Sequence, residues 1–318
     1  MSAEAKPTEQ PRLIDEIRAE APVFWHHMPD KGVFFAMLAV WCLFFHFLGN
    51  SVFGYIDTRS LLRWMYHQYD TSVDDEHGLM LPFVVIGLLY WKRKHLMALP
   101  KAVWWPALGL VLVSLMIHVF GFVIQIPQLS IVAFYFGIYS MTGLVWGLPW
   151  LKESFFPMLL FVFAVPLGTL GDAVTLPLRV LAATITSGLC STILGVDVVR
   201  QGTQLFDPSG KYQYEVAAAC GGIRSLIAML GLATTYAFVG FQTSWRRTVM
   251  ILMAFPLAVA SNVFRLMCII VAAELFGHNA GMYVHDSSIL SLLPYIPGLA
   301  GLMGLAHLLR ESPRTKHS

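Results

Sequence analysis

Three short segments hold the residues whose types could act together in chemistry. The first is Ala219-Cys220-Gly221-Gly222-Ile223-Arg224, directly ahead of an apolar run. Read as the first turn of a helix, it exposes Cys220 to unpaired N–H groups and the helix dipole, which lower a thiol pKa. Arg224 lies four residues on, one turn along the same face, and a cation there further favours thiolate. Gly221 and Gly222 let a substrate backbone approach closely. The second segment is Ser261-Asn262-Val263-Phe264-Arg265, buried in another apolar run, with Asn262 on the face of Arg265. The third is Val284-His285-Asp286-Ser287-Ser288, which supplies an imidazole. A thiolate attacks an amide carbonyl, a histidine moves the proton to the leaving amine, and an arginine stabilises the developing oxyanion. That set belongs to acyl transfer.

Each segment also has a plainer reading. Cys220 would be a small apolar side chain beside a snorkelling arginine. Arg265 would form a structural ion pair with Glu274 or Glu215, and His285 would be an incidental loop histidine with His278 as its neighbour. The other cysteines, Cys42, Cys190 and Cys268, lie in apolar stretches and read as packing residues. Four cysteines and eleven histidines show no ligand spacing, so no metal is expected. No phosphate-binding or dinucleotide glycine pattern is present, so no cofactor and no nucleic-acid partner is expected either.

The elements that must position these residues are membrane helices. The chain has 318 residues, 57% hydrophobic and 13% charged, with a mean hydropathy of +0.64. Soluble domains carry about 25% charged residues, and several apolar stretches here reach the roughly 20 residues of a crossing. A polar, mixed-charge segment, residues 1–31, precedes the first apolar run, which lacks a small-residue cleavage site and reads as a retained span.

Lys and Arg collect on the cytoplasmic side. Spans are expected at residues 32–53, 78–91, 102–124, 129–150, 155–170, 222–241, 249–276 and 289–309, with Lys92-Arg93-Lys94, Lys152, Arg246-Arg247 and the basic segment from Arg310 inside. Counting back from that basic end puts the loop at 277–286, and the segment before Cys220, outside. From Arg247 to Arg265 is 18 residues, about 27 Å, so Arg265 reaches the outer membrane level. Parity then forbids a crossing by residues 173–194, whose threonines, Ser187 and Arg179 suit an interfacial amphipathic helix. Residues 197–216 read as one β-hairpin around Asp207-Pro208-Ser209-Gly210, whose edge could pair with an extended peptide. The expected fold is an all-α polytopic membrane protein: about eight transmembrane helices, one interfacial amphipathic helix and a small extracytoplasmic β-hairpin. It divides into a cytoplasmic segment (1–31), one transmembrane domain (32–309) and a cytoplasmic basic tail (310–318).

With these pieces in place the sequence resembles the exosortase/archaeosortase family. The resemblance rests on Ala219-Cys220-Gly221-Gly222-Ile223-Arg224-Ser225-Leu226, Asn262-Val263-Phe264-Arg265 and His285-Asp286. Asp75-Glu76-His77-Gly78 resembles the family's early His-Gly element, and the stretch from Pro166 to Glu215 is also similar. One departure is Gly221, where many members carry serine; it bears on subtype. The resemblance implies a membrane cysteine protease and transpeptidase, with Cys220 as nucleophile, His285 as proton carrier and Arg265 as transition-state stabiliser. Arg224, Asn262, Glu215, His77, Gly221 and Gly222 would support them. Its partners would be exported proteins with a C-terminal sorting signal (motif, transmembrane helix, basic cluster), membrane lipids, and a lipid- or sugar-linked acceptor where an amine rather than water resolves the acyl-enzyme. The setting would be a bacterial inner membrane, the site facing the periplasm. Two other classes fit the residues alone: a transporter or polymer-export scaffold, and a membrane cysteine hydrolase of lipid-linked substrates.

Overall fold

The computed structural model describes residues 13–54, 57–72, 75–215, 223–287 and 295–310. Two units emerge from the packing. The first comprises residues 1–66 and 80–165, the second residues 67–79 and 166–318.

In the first unit, α1 (Leu13–His27), α2 (Lys31–Leu48) and the start of α3 (Leu61–Thr71) precede α4 (Leu81–Trp91), α5 (Arg93–Ala98), α6 (Pro106–Val123), α7 (Pro127–Trp146) and α8 (Leu148–Leu159). Helix α7 is central and the most buried of these spans. Trp41 of α2 lies flat against it at Gly137, where a Cβ would meet the indole at 2.1 Å, and the indole N–H donates to the Phe134 carbonyl at 3.0 Å. At the α4–α5 corner two carboxylates are each shared by two basic side chains. Glu20 takes Arg93 and Lys94, and Glu153 takes Lys92 with the His95 ring 3.6 Å away.

The second unit holds the single-turn 3-10 helix Glu76–Leu79, α9 (Gly168–Leu189), a three-stranded antiparallel sheet, α10 (Ile223–Gly240), α11 (Ser244–Phe276), α12 (His278–Asp286) and α13 (Tyr295–Leu308). The strands are β1 (Val199–Gln201), β2 (Gln204–Phe206) and β3 (Gln213–Glu215). Helix α11 runs 33 residues, about 50 Å. Its buried residues recur every three or four positions (Met250, Ala254, Ala258, Asn262, Leu266, Ile270, Ala273), the stripe of a helix with one face in a core. Helix α13 packs on it through small residues, as membrane helices do; a Cβ on Gly298 would meet Ser261 Oγ at 2.2 Å.

Among the described residues five helices are long and apolar enough to cross a bilayer: Lys31–Leu48, Pro106–Val123, Pro127–Trp146, Leu176–Leu194 and Ser244–Phe276. Apolar but shorter are Leu81–Trp91, Leu226–Gly240 and Tyr295–Leu308. The chain is thus a helical, multi-pass membrane protein with a small sheet, and the eight expected spans do not map onto eight full-length helices.

Two differences have clear causes. The expected span at 155–170 is broken. Pro157 sits inside α8, a 3-10 turn follows over Leu160–Ala164, and Val165 ahead of Pro166 is extended (φ −81°, ψ 112°), as pre-proline residues prefer. Conversely, the segment read as interfacial forms a helix as apolar and long as a crossing. Three of its hydroxyls have carbonyl partners: Thr184 donates to the Val180 carbonyl and Thr192 to that of Gly188, each at 2.7 Å, while Ser187 donates to Val198 at 2.7 Å. Hydroxyls bonded back to their own helix need no water.

The sheet also differs from the single expected hairpin. A second turn, Gly202-Thr203, joins β1 to β2, with Gln201 opposite Gln204. Gly202 has φ 65°, the positive φ that a two-residue hairpin turn requires of its first residue.

Candidate functional site

Arg265 and His285 come together on the two arms of one helical hairpin. Helix α11 ends at Gly277 (φ 89°), and the same glycine opens α12, so the chain folds back on itself without a loop. Glycine is suited to this backbone conformation. The fold-back carries His285, in the last turn of α12, alongside Arg265, whose Nη2–H donates to the His285 carbonyl at 3.4 Å. Arg265 Nε is buried and has no hydrogen-bond partner among the described residues. A guanidinium has five N–H donors, so most of this one's capacity is unused within the described structure.

The competing ion pair with Glu274 does not form among the described residues. Glu274, one alternative partner for Arg265, binds Lys211 at 2.6 Å. That contact raises the Lys211 pKa and ties the β2–β3 loop to the last turn of α11. Asn262 is buried near Arg265 on α11, but the guanidinium bonds to His285 instead.

The sheet is fastened to the same hairpin. Tyr212, Tyr214 and Leu205 share a core with Val263, Leu266, Ile269, Ile270 and Ala273 of α11, and Met282 and Val284 of α12 pack against it. The Tyr214 hydroxyl donates to the His278 carbonyl at 3.0 Å, and its ring stacks on the His278 imidazole (5.2 Å between centroids, 12° between planes). The neighbouring histidine is therefore engaged by the sheet, and His285 is the one at Arg265. Asp207 organises the β2–β3 loop, accepting from the Ser209 hydroxyl and from the N–H groups of Ser209 and Lys211 at 3.1 Å each. Those bonds, with the Ser209 hydroxyl foremost, hold its carboxyl below the usual carboxylate range.

Cys220, Gly221 and Gly222 lie outside the described residues, as does the helical turn expected at Cys220. Glu215 closes β3 and Arg224 is the second residue of α10, and nothing is described of their side chains. Chain length still bounds the thiol. Cys220 is five residues past Glu215 and three before Ile223, hence no more than about 18 Å from the end of β3 and about 11 Å from the start of α10. His77 occupies the 3-10 turn Glu76–Leu79, beside the buried Asp75 carboxylate that accepts the Leu167 N–H at 3.3 Å ahead of α9. Gly78 next to it lies under the Tyr69 ring, where a Cβ would come within 2.3 Å.

Two positioning residues escaped the sequence reading. Tyr214 was visible as half of a period-two alternation, Tyr212-Gln213-Tyr214-Glu215, which marks one buried face of a strand. Asp75 was visible only as the first residue of the Asp75-Glu76-His77-Gly78 element, with no role attached to it.

In this arrangement a half-buried guanidinium and an imidazole share one rigid hairpin, and the sheet leading to Cys220 is pinned to that hairpin. Comparison with known proteins gives one match: the model of the transmembrane exosortase family covers residues 69–293. No curated protein and no solved structure matches.

Proposed function

Because the chain belongs to the transmembrane exosortase family, we propose that it is a membrane-embedded cysteine peptidase and transpeptidase acting on the C-terminal sorting signals of exported proteins. The observation that carries this reading is the Arg265–His285 contact, in which a partly buried guanidinium, its Nε without a partner among the described residues, donates to the main chain of His285.

The Cys220 thiolate attacks the scissile carbonyl carbon, forming an S–C bond. Arg265 N–H groups stabilise the oxyanion in a poorly hydrated site, where such donors count for most. As the C–N bond breaks, His285 passes its proton to the departing amine and leaves a thioacyl-enzyme. Water or an acceptor amine, on a lipid or sugar carrier, then attacks that thioester, with His285 taking its proton and Cys220 leaving as thiolate. The substrate's own membrane helix anchors it beside the enzyme and raises its local concentration. Lys and Arg placement at the C-terminal end supports a periplasmic site in an inner membrane: Arg246-Arg247 and the segment from Arg310 inside, with α11 and α13 between them and α10 leading in from the opposite face.

The test is coexpression with an exported reporter bearing a C-terminal tail of short motif, apolar helix and basic cluster, taken from the same genome. Wild type should shorten the reporter and Cys220→Ala should leave it intact. Equal processing by both would remove the enzymatic reading, and export of a polymer or solute by both would favour the transport or scaffold class.

A further inference from the structure

The register of the small sheet determines which main-chain groups each strand turns outward. Gln201 pairs with Gln204 across a two-residue turn, so the main chain of Gln204 faces β1. Main-chain groups alternate sides along a strand; those of Leu205 therefore face β3 and those of Phe206 face β1. The other loop gives the same result independently. The Asp207 N–H donates to the Tyr212 carbonyl at 3.1 Å, which makes that pair a hydrogen-bonded rung and the adjoining Phe206–Gln213 pair a non-bonded one. In β3, then, Tyr214 bonds to β2, while Gln213 and Glu215 turn their N–H and C=O groups away from the sheet. Gln213 is exposed, and its main chain has no partner among the described residues.

Two residues spaced two apart, with donors and acceptors directed off an edge, are what an added antiparallel strand requires. The strand that offers them is held in place. Tyr212 and Tyr214 are buried in the α11–α12 core, and Lys211 is paired with Glu274, so an incoming peptide meets an edge already ordered.

We propose that this outer edge of β3 docks the extended segment of a substrate polypeptide, with Gln213 and Glu215 as its two main-chain rungs. The inference rests on the peptidase reading above and assigns a binding surface to it. Its occupant is the stretch of chain ahead of the substrate's membrane helix, because β3 ends five residues before Cys220. A strand paired at Glu215 therefore runs within about 18 Å of the thiol. Recognition through main chain also leaves the substrate side chains free to vary. The opposite edge suits the role less well. Strand β1 lies two strand spacings further away, about 10 Å, and Ser187 of α9 already occupies the Val198 carbonyl beside it.

Proline at an outward-facing edge position removes the N–H without breaking an internal rung. The experiment compares Gln213→Pro with Arg200→Pro, the equivalent outward residue of β1. Processing of the tailed reporter is read beside thermal unfolding in detergent. Gln213→Pro is expected to lower processing about tenfold or more, the loss of one main-chain bond plus steric exclusion. Arg200→Pro should stay within about twofold of wild type. Unchanged processing in Gln213→Pro, or an equal loss in Arg200→Pro, overturns the assignment. A second reading is independent of turnover: amide hydrogen exchange of residues 211–215 in Cys220→Ala, with and without the reporter. Slowing confined to this strand supports docking. Unchanged exchange there sinks the edge proposal while leaving the peptidase reading intact if wild type still cleaves. Slowed exchange without cleavage in wild type sinks the peptidase reading instead.

Discussion

The Tyr214 hydroxyl lies directly over Gly281, where a Cβ would come within 2.1 Å of it. The same hydroxyl donates to the His278 carbonyl one turn earlier, so β3 is seated on α12 through a single phenol and the absence of a side chain beneath it.

That seat gives the first prediction. Gly281→Ala should destabilise the protein by about 1–3 kcal/mol, the range for inserting a methyl into packed surroundings. Combining it with Tyr214→Phe should recover part of the loss, because the clashing oxygen is gone. Thermal unfolding of the two single variants and the double variant measures the coupling. Strict additivity would mean that the hydroxyl is not what Gly281 accommodates.

Tyr212 predicts an alkaline transition. Burial first, then the nearby Glu274 and Asp207 carboxylates, pushes its phenol up to about 12. The unfolded chain ionises near pH 10 while the folded chain does not, so its contribution to stability is complete below about pH 10 and is lost as pH rises through about 12. The loss amounts to about 2–3 kcal/mol for a two-unit shift. Lys211, raised by Glu274, loses its contribution in the same direction. Tyr212→Phe should flatten the alkaline fall, followed by tyrosinate absorbance and unfolding. Its hydroxyl has no partner among the described residues, so the variant should be no less stable than wild type at neutral pH.

Arg265 should matter to rate more than to fold. Arg265→Gln is expected to lower turnover of the tailed reporter about 10²–10³-fold, the usual effect of removing an oxyanion donor, with expression and unfolding temperature close to wild type. Arg265→Lys keeps the charge but not the planar fork, and should recover only part of the activity. A loss confined to KM would show that Arg265 binds substrate rather than stabilising the transition state.

Sidedness has its own check. Arg200→Cys, at an exposed position on β1, should react with a membrane-impermeant thiol reagent added from the periplasm. Trp245→Cys, beside Arg246-Arg247, should react only after permeabilisation. The opposite pattern would invert the whole second unit.

Much of this was legible in the residues, but unevenly. Hydropathy located α2, α6, α10, α11 and α13, since one helix falls in each of those apolar runs. It failed at 155–170, where composition stays apolar while Pro157 and Pro166 interrupt the hydrogen-bond ladder. At 173–194 the threonines suggested an interfacial helix, and a count of them does not reveal that Thr184 and Thr192 bond back to their own helix, which is also long and apolar enough to cross. The family resemblance named Arg265 and His285, and their meeting depends on a glycine, Gly277, that the sequence reading did not weigh. Contacts between residues far apart in the chain left no local trace. Lys211 and Glu274 are 63 residues apart, and only the folded core brings them together.

The turn at Gly277 couples the two described groups of the candidate centre. Arg265 and His285 are separated by a single helical reversal, so their spacing is inherited from the packing of α11 against α12 and cannot relax independently. A side chain at position 277, where φ is 89°, would therefore act on that spacing from outside the centre, leaving both residues in place while changing how they meet.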